Sequence, residues 1–257
     1  MTDPRTTAVE DNLVSFYRLV GRDPLFTRLG EDDVAAFTTQ VPFALFNCVI
    51  DARFDDASRA RRTAEVADRM VAHGLPWMWW ATPSGMPDDH VLTERGLSRS
   101  DTPGMHVDLD GPVEPRSDLR IAEASGDGLH AFMEMFARGF GMPDFVTEAL
   151  AVVVRRSFDP ARIVSLVAWD GRTPVGCGSV IVDGTTAGLY NIATPEEHRG
   201  RGVGYAVTAA LMNLGVGRGC TRAVLQSSDL GRPVYERIGF EQVCTVPQYV
   251  WHPATTD

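Results

Sequence analysis

Arg199-Gly200-Arg201-Gly202-Val203-Gly204 sets three glycines at alternate positions among two guanidinium groups, a pattern suited to holding a phosphate. Glycine lacks a Cβ, so the main chain can approach an anion closely, and the arginines add charge. The flanking sequence puts this run at a turn from strand to helix. Thr186 to Ala193 reads as a strand, and Val203, Ala206, Val207, Ala210, Leu211 and Leu214 keep helical spacing until Gly215, Gly217 and Gly219 stop it. The loop from Glu196 to Gly202 therefore ends where helical amides lack internal partners and the helix dipole is positive. A diphosphate suits such a turn, although glycines there serve turn geometry equally well. A Walker loop needs Lys and then Ser or Thr after its last glycine, whereas Gly204 is followed by Tyr205-Ala206. A dinucleotide fold opens with its glycines, and only 53 residues (257 minus 204) follow Gly204.

The elements that must hold this turn are well punctuated. Leu119 to Ala122 reads as a short strand, and Leu129, Phe132, Met133, Phe136 and Phe140 share one face of a helix that starts after Asp127 and ends near Gly139 and Gly141. Glu148 to Ser157 reads as a second, shorter helix. Arg162 to Trp169, Val175 to Val182 and Thr186 to Ala193 are strands joined at Asp170-Gly171 and Asp183-Gly184, which predicts an antiparallel meander. A strand from Thr221 to Gln226 and a short helix around Val234 to Ile238 follow. In the first half, Ser58 to Val71 is an amphipathic helix with Ala60, Ala64, Ala67, Met70 and Val71 on one face and Arg59, Arg61, Arg62, Asp68 and Arg69 largely opposite. After His73-Gly74, the run Trp77-Met78-Trp79-Trp80 reads as a strand whose aromatic rings fill a core.

Composition narrows the class of function. No apolar run approaches the roughly 20 residues that cross a bilayer, and the polar start, Met1 to Glu10, has no signal-peptide core. Cys48, Cys177, Cys220 and Cys244 are scattered without a C-x-x-C pair, so neither disulfides nor a zinc site are expected, and a reducing cytoplasm is. A net charge of -10 argues against nucleic acid as a partner and weakly suits a cationic substrate.

An antiparallel meander, R-x-x-G-x-G on Arg199 to Gly204, an amphipathic helix, a strand, and Y-x-x-x-G-F on Tyr235 to Phe240 together resemble the GNAT superfamily of N-acetyltransferases, over roughly residues 117 to 251. The resemblance implies an α/β (α+β) acyl-CoA N-acyltransferase fold, a mostly antiparallel mixed sheet flanked by helices. It implies acetyl-CoA as co-substrate with no metal, held through its pyrophosphate by the backbone of Arg199, Gly200, Arg201, Gly202, Val203 and Gly204. The end of the preceding strand, Ile192, Ala193 and Thr194, would pair with the pantetheine arm as an added strand does. Tyr235 matches the family tyrosine that faces the departing thiolate, and a phenol of ordinary pKa near 10 can donate a proton there. Ser228 falls where many members carry an asparagine that touches the coenzyme. A strand amide near Ala193 is the expected oxyanion donor. Glu134, Glu148, Glu196, Glu197 or a water chain are the candidates for taking the amine proton, and none is singled out. The acceptor would be an amine on a small molecule or peptide, and the protein a monomer or homodimer without membrane or nucleic-acid partners. A non-catalytic acyl-CoA sensor that kept the cradle is the alternative.

The turn formers Gly111, Pro112 and Pro115 suggest a boundary near residue 115. This gives an amino-terminal domain, 1–115, and a GNAT domain, 116–257. The amino-terminal part has no R-x-x-G-x-G, and Leu92 to Leu109, with Gly96-Leu97 and a return strand, resembles the closing element of a degenerate second GNAT unit without coenzyme. An unrelated capping domain is the other reading.

Overall fold

The computed structural model describes residues 3–143 and 162–254, so the helix expected at Glu148 to Ser157, and Glu148 with it, lie outside the described residues. The chain divides into two compact units, 1–16 with 103–243 and 17–102 with 244–257. The boundary read near residue 115 falls inside the first of these. Helix α1 (Pro4–Val20) opens the chain. Asp3 caps it through the Arg5 amide at 2.9 Å, and Pro4 at its start gives up no hydrogen bond that the helix would make.

In the first unit, strands β5 (Ser98–Asp108), β6 (Arg120–Glu123), β7 (Ile163–Asp170), β8 (Thr173–Asp183), β9 (Thr186–Ala193) and β10 (Arg222–Gln226) run in the spatial order β5-β10-β9-β8-β7-β6. All neighbours are antiparallel except β9 and β10. The meander turns as expected, with Gly171 and Gly184 at φ 58 and 55, angles at which a Cβ would strain the chain. Helix α4 (Asp127–Gly139) buries Phe132, Met133 and Phe136, and helix α5 (Val203–Gly217) buries Val203, Val207 and Leu211. Two glycines seat α5 on β8. A Cβ on Gly176 would lie 2.6 Å from Val203 Cγ1, and one on Gly178 would lie 2.8 Å from Leu211 Cδ1 and 2.9 Å from Val207 Cγ1.

In the second unit, β1 (Thr27–Arg28), β2 (Ala35–Thr38), β3 (Cys48–Ile50), β4 (Trp77–Trp80) and β11 (Glu241–Trp251) lie side by side in that order. Trp77 and Trp79 are fully buried with Met70, Leu92 and Tyr249, as aromatic core packing requires. Helix α2 (Arg59–Ala72) crosses between the parallel strands β3 and β4, and helix α3 (Asp89–Glu94) precedes β5. Arg62 differs from its expected solvent-facing position. It is buried because a bidentate pair with Asp33, at 2.9 and 2.7 Å, and a 2.7 Å bond to Glu65 satisfy its guanidinium.

The two halves of the sequence repeat one motif. Strand, helix, parallel strand, short helix and long strand occur as β3-α2-β4-α3-β5 and again as β9-α5-β10-α6-β11, where α6 spans Arg232–Ile238. The closing strands are exchanged: β10 pairs with β5, and β4 pairs with β11. This exchange is why each unit draws on both halves of the sequence. The copies differ at the helix start. Before α2 stand Asp55 and Asp56, and the Asp55 carboxylate accepts the Ser58 amide at 2.7 Å. The Ser58 hydroxyl and this amide hold the Asp55 carboxyl below the usual range. The first copy thus supplies its own anion at the helix start, where the second carries glycines and arginines.

Candidate active site

Strands β9 and β10 pair only at Thr186, Ala187 and Gly188, opposite Arg222, Ala223 and Val224. From Leu189 onward β9 pairs with β8 alone among the described residues, so the edge that faced β10 has no ladder partner among them. A bulge follows, in which Asn191 takes φ 55 and the register shifts between Cys177 and Ser179. Cys177 lies opposite Ala193 across this ladder, and its buried thiol donates to the Asn191 carbonyl at 3.6 Å.

Pro195, a 3-10 turn (Glu196–His198) and the glycine run connect β9 to α5. Gly200 and Gly202 take φ 74 and 79, and a Cβ on either would meet nothing within 4 Å. Glycine is favoured at both by conformation, and the space in front of both is open. Gly202 caps α5 with no side chain bonded to its first amides, and its carbonyl receives the first helical bond, from Ala206 at 3.0 Å. The first amides of α5 therefore face the opening with a positive dipole behind them. Arg199 reaches back to the Thr194 carbonyl at 3.2 Å, and Arg201 pairs with Asp170. The first turn of α5 lies against the end of β9, since a Cβ on Gly204 would be 3.9 Å from Thr194 Oγ1 and 4.0 Å from Val234 Cγ1 of α6. The structure thus brings Ile192 to Thr194, Arg199 to Gly204 and α6 to one end of the β9–β10 pair.

Residues 129–240 match the family model described as Acetyltransferase (GNAT) family. This stretch is a GNAT domain. Across solved structures the chain is similar to a GCN5-related N-acetyltransferase from Kribbella flavida, at 15% identity over 96% of each chain with a TM-score of 0.69. It is also similar to one from Sphaerobacter thermophilus, at 17% identity over 97% of this chain and 93% of that one, TM-score 0.60. A tandem GNAT protein from the clavulanic acid biosynthesis pathway aligns over 91% and 85% of the two chains at 15% identity, TM-score 0.55. These likenesses establish the GNAT fold. No curated protein sequence matches the chain.

Within the GNAT domain, Tyr235 sits on α6 with its ring buried, edge-on to Phe240 at 6.0 Å between centroids. Gly231 closes over the ring, with space for no Cβ, which would lie 2.8 Å from Tyr235 Cε2. Burial pushes the phenol pKa up to about 12, so it is neutral at physiological pH and a weaker acid than a free tyrosine. Ser228 uses its hydroxyl oxygen to accept the Gly231 amide at 3.1 Å and its carbonyl to accept Arg232 at 3.0 Å, which anchors the start of α6. Its hydroxyl proton stays available to a ligand.

Two carboxylates near the cradle share one arginine. Arg138 binds both Glu134, at 3.0 Å, and Glu197. The Glu197 amide, together with the positive charge of Arg138, holds the Glu197 carboxyl below the ordinary range. The last turn of α4 presses on the end of β9, where a Cβ on Gly139 would sit 2.6 Å from Ala193 Cβ. One contact had no place in the sequence reading: Asn12 of α1 accepts the buried Tyr190 hydroxyl at 2.7 Å, and Phe16 stacks on the Tyr190 ring at 4.2 Å. Among the described residues there is no group of three or more His, Cys, Asp or Glu placed to hold a metal ion, and no helix is long and apolar enough to cross a membrane.

Proposed function

We propose that the chain is an N-acetyltransferase that moves acetyl from acetyl-CoA to a primary amine of a small molecule or peptide, by direct attack in a ternary complex. The observation that carries this reading is the parting of β9 from β10 after Gly188, at an end where α5 begins on two left-handed glycines. A free strand edge accepts an amide-bearing arm as a further strand would. The amides from Gly200 to Gly204 suit a pyrophosphate, that of Arg199 being taken by the Glu196 carbonyl at 3.1 Å.

Acetyl-CoA supplies an activated acetyl group. Ile192, Ala193 and Thr194 align its pantetheine arm beside the strand, and Arg199 and Arg201 add charge at the cradle, the latter by trading Asp170 for phosphate. Tyr235, kept neutral by burial, donates toward the thiolate sulfur, and Ser228 offers a hydroxyl to the coenzyme. The clamp of Arg138 leaves neither Glu134 nor Glu197 free to accept a proton from an ammonium group. The amine therefore arrives neutral, or loses its proton to Glu196, which Arg138 does not engage, or through water.

The test is release of free coenzyme thiol from acetyl-CoA against a panel of polyamines, amino sugars and peptide amino termini, with mass spectrometry of the products. Transfer to one amine class is expected. Binding of acetyl-CoA without transfer to any amine would support the acyl-CoA sensor instead.

A further inference from the structure

The second unit holds a cavity of about 310 Å³ where the end of α1 meets β1 and β2. Its floor is apolar, built from Val34, Ala35 and Phe37, and its walls carry Arg18, Arg22, Arg28 and Arg53. We propose that this cavity binds a small organic anion, a carboxylate or phosphate monoester that carries an apolar group.

The charge is local and unbalanced, in a chain whose net charge is -10. Asp51 serves two of the arginines, pairing with Arg18 and lying 3.6 Å from Arg53. Asp51 takes φ 56, a left-handed conformation that only a short polar side chain accepts readily, so the backbone itself fixes this carboxylate. Arg53 also donates to the Asp32 carbonyl at 2.6 Å. Glu31, the nearest candidate to neutralise the rest, is taken by Arg62 at 2.9 Å and Arg69 at 2.6 Å. Arg22 and Arg28 are left with no carboxylate partner among the described residues, although Glu31 and Asp32 also line the cavity. Two guanidiniums without partners beside a cavity are a fork-shaped site for a planar or tetrahedral oxyanion.

The cavity is built rather than incidental. The turn after α1 is pinned by the Asp23 carboxylate, which is buried and accepts the Leu25 amide at 2.8 Å. Gly21 lets this turn press on Phe37, since a Cβ there would stand 2.3 Å from Phe37 Cε1. Its volume lies at the lower end of the roughly 300–1,000 Å³ of ligand sites, which limits the ligand to a small molecule. The apolar floor favours an anion with a ring or alkyl group over a bare ion.

The experiment is calorimetry on the full chain with phenyl phosphate, benzoate and inorganic phosphate, repeated on the double variant Arg22→Gln/Arg28→Gln. Both arginines are exposed, so the variant should keep its melting temperature and its affinity for acetyl-CoA. Expected are saturable binding of phenyl phosphate or benzoate and a loss of at least about tenfold in the variant. Whichever of the two binds more tightly identifies the head group. The proposal is overturned if none of the three saturates below about 10 mM, or if the variant binds as wild type does. Equal affinity for inorganic phosphate and phenyl phosphate would overturn the apolar part of the site.

Discussion

Gly188 of β9 and Val224 of β10 are the last residues that these parallel strands pair, and Asn12 fills the space a side chain at 188 would need. A Cβ on Gly188 would stand 1.7 Å from Asn12 Oδ1, the atom that accepts the Tyr190 hydroxyl. The first helix of the chain thus packs against β9 where it separates from β10.

Replacing Asn12 by Ala should leave the Tyr190 hydroxyl buried without a partner, at a cost of about 1–3 kcal/mol in urea unfolding. Gly188→Ala should cost a similar amount by overpacking, about 1–3 kcal/mol. In the Asn12→Ala background the second change should cost less, because the nearest atoms it strikes are gone and only Tyr190 Cε2, at 2.6 Å, remains. Strict additivity would contradict the contact.

Gly178→Val should lower the melting temperature, since its side chain must enter the space of Val207 and Leu211, at about 1–3 kcal/mol. Gly204→Ala meets only atoms 3.9 and 4.0 Å away and should leave the apo fold as stable as wild type. Equal melting shifts for the two would contradict the seating of α5.

Tyr235→Phe should lower kcat by about 100-fold or more if proton donation is its role, while acetyl-CoA affinity changes little. With the phenol pKa near 12, the wild-type rate should show no fall up to about pH 10 from this group. The rise of kcat/KM at lower pH should track the pKa of the acceptor amine and move when the amine is changed. A fixed rise that ignores the amine would point to an enzyme carboxylate.

Tyr249 donates to Asp89 at 2.7 Å and is pushed to about 12 by burial and that carboxylate. Its folded pKa lies above the unfolded value near 10, so the stability it contributes is full below pH 10 and is lost as pH rises through 12. Tyr249→Phe should flatten the alkaline limb of a stability–pH curve, and an unchanged limb would exclude this group as its source.

Much of the fold was legible because its signals are local. Asp170-Gly171 and Asp183-Gly184 mark turns by chemistry alone, and the spacing from Val203 to Leu214 matches the α5 that forms. Helix α1 was readable too, from Asp3-Pro4 followed by Val9, Leu13 and Tyr17 at helical intervals, yet its polar start masked it. Arg62 could not be placed, since its burial depends on Asp33 and Glu31, which lie about thirty residues earlier in sequence. The exchange of β5 and β11 is likewise a long-range pairing, on which periodicity is silent. At the candidate site, the glycine run was visible as chemistry, whereas the parting of the strands and the bulge at Asn191 are tertiary facts.

Acetyl-CoA titrated calorimetrically into wild type and Gly202→Asp tests the cradle most directly. Aspartate tolerates the left-handed conformation better than most residues and meets open space there, so the fold should persist at a strain of about 1–2 kcal/mol. Its carboxylate would face the pyrophosphate, and affinity should fall by about 100-fold or more. Wild-type affinity in the folded variant would contradict a coenzyme held at Arg199 to Gly204.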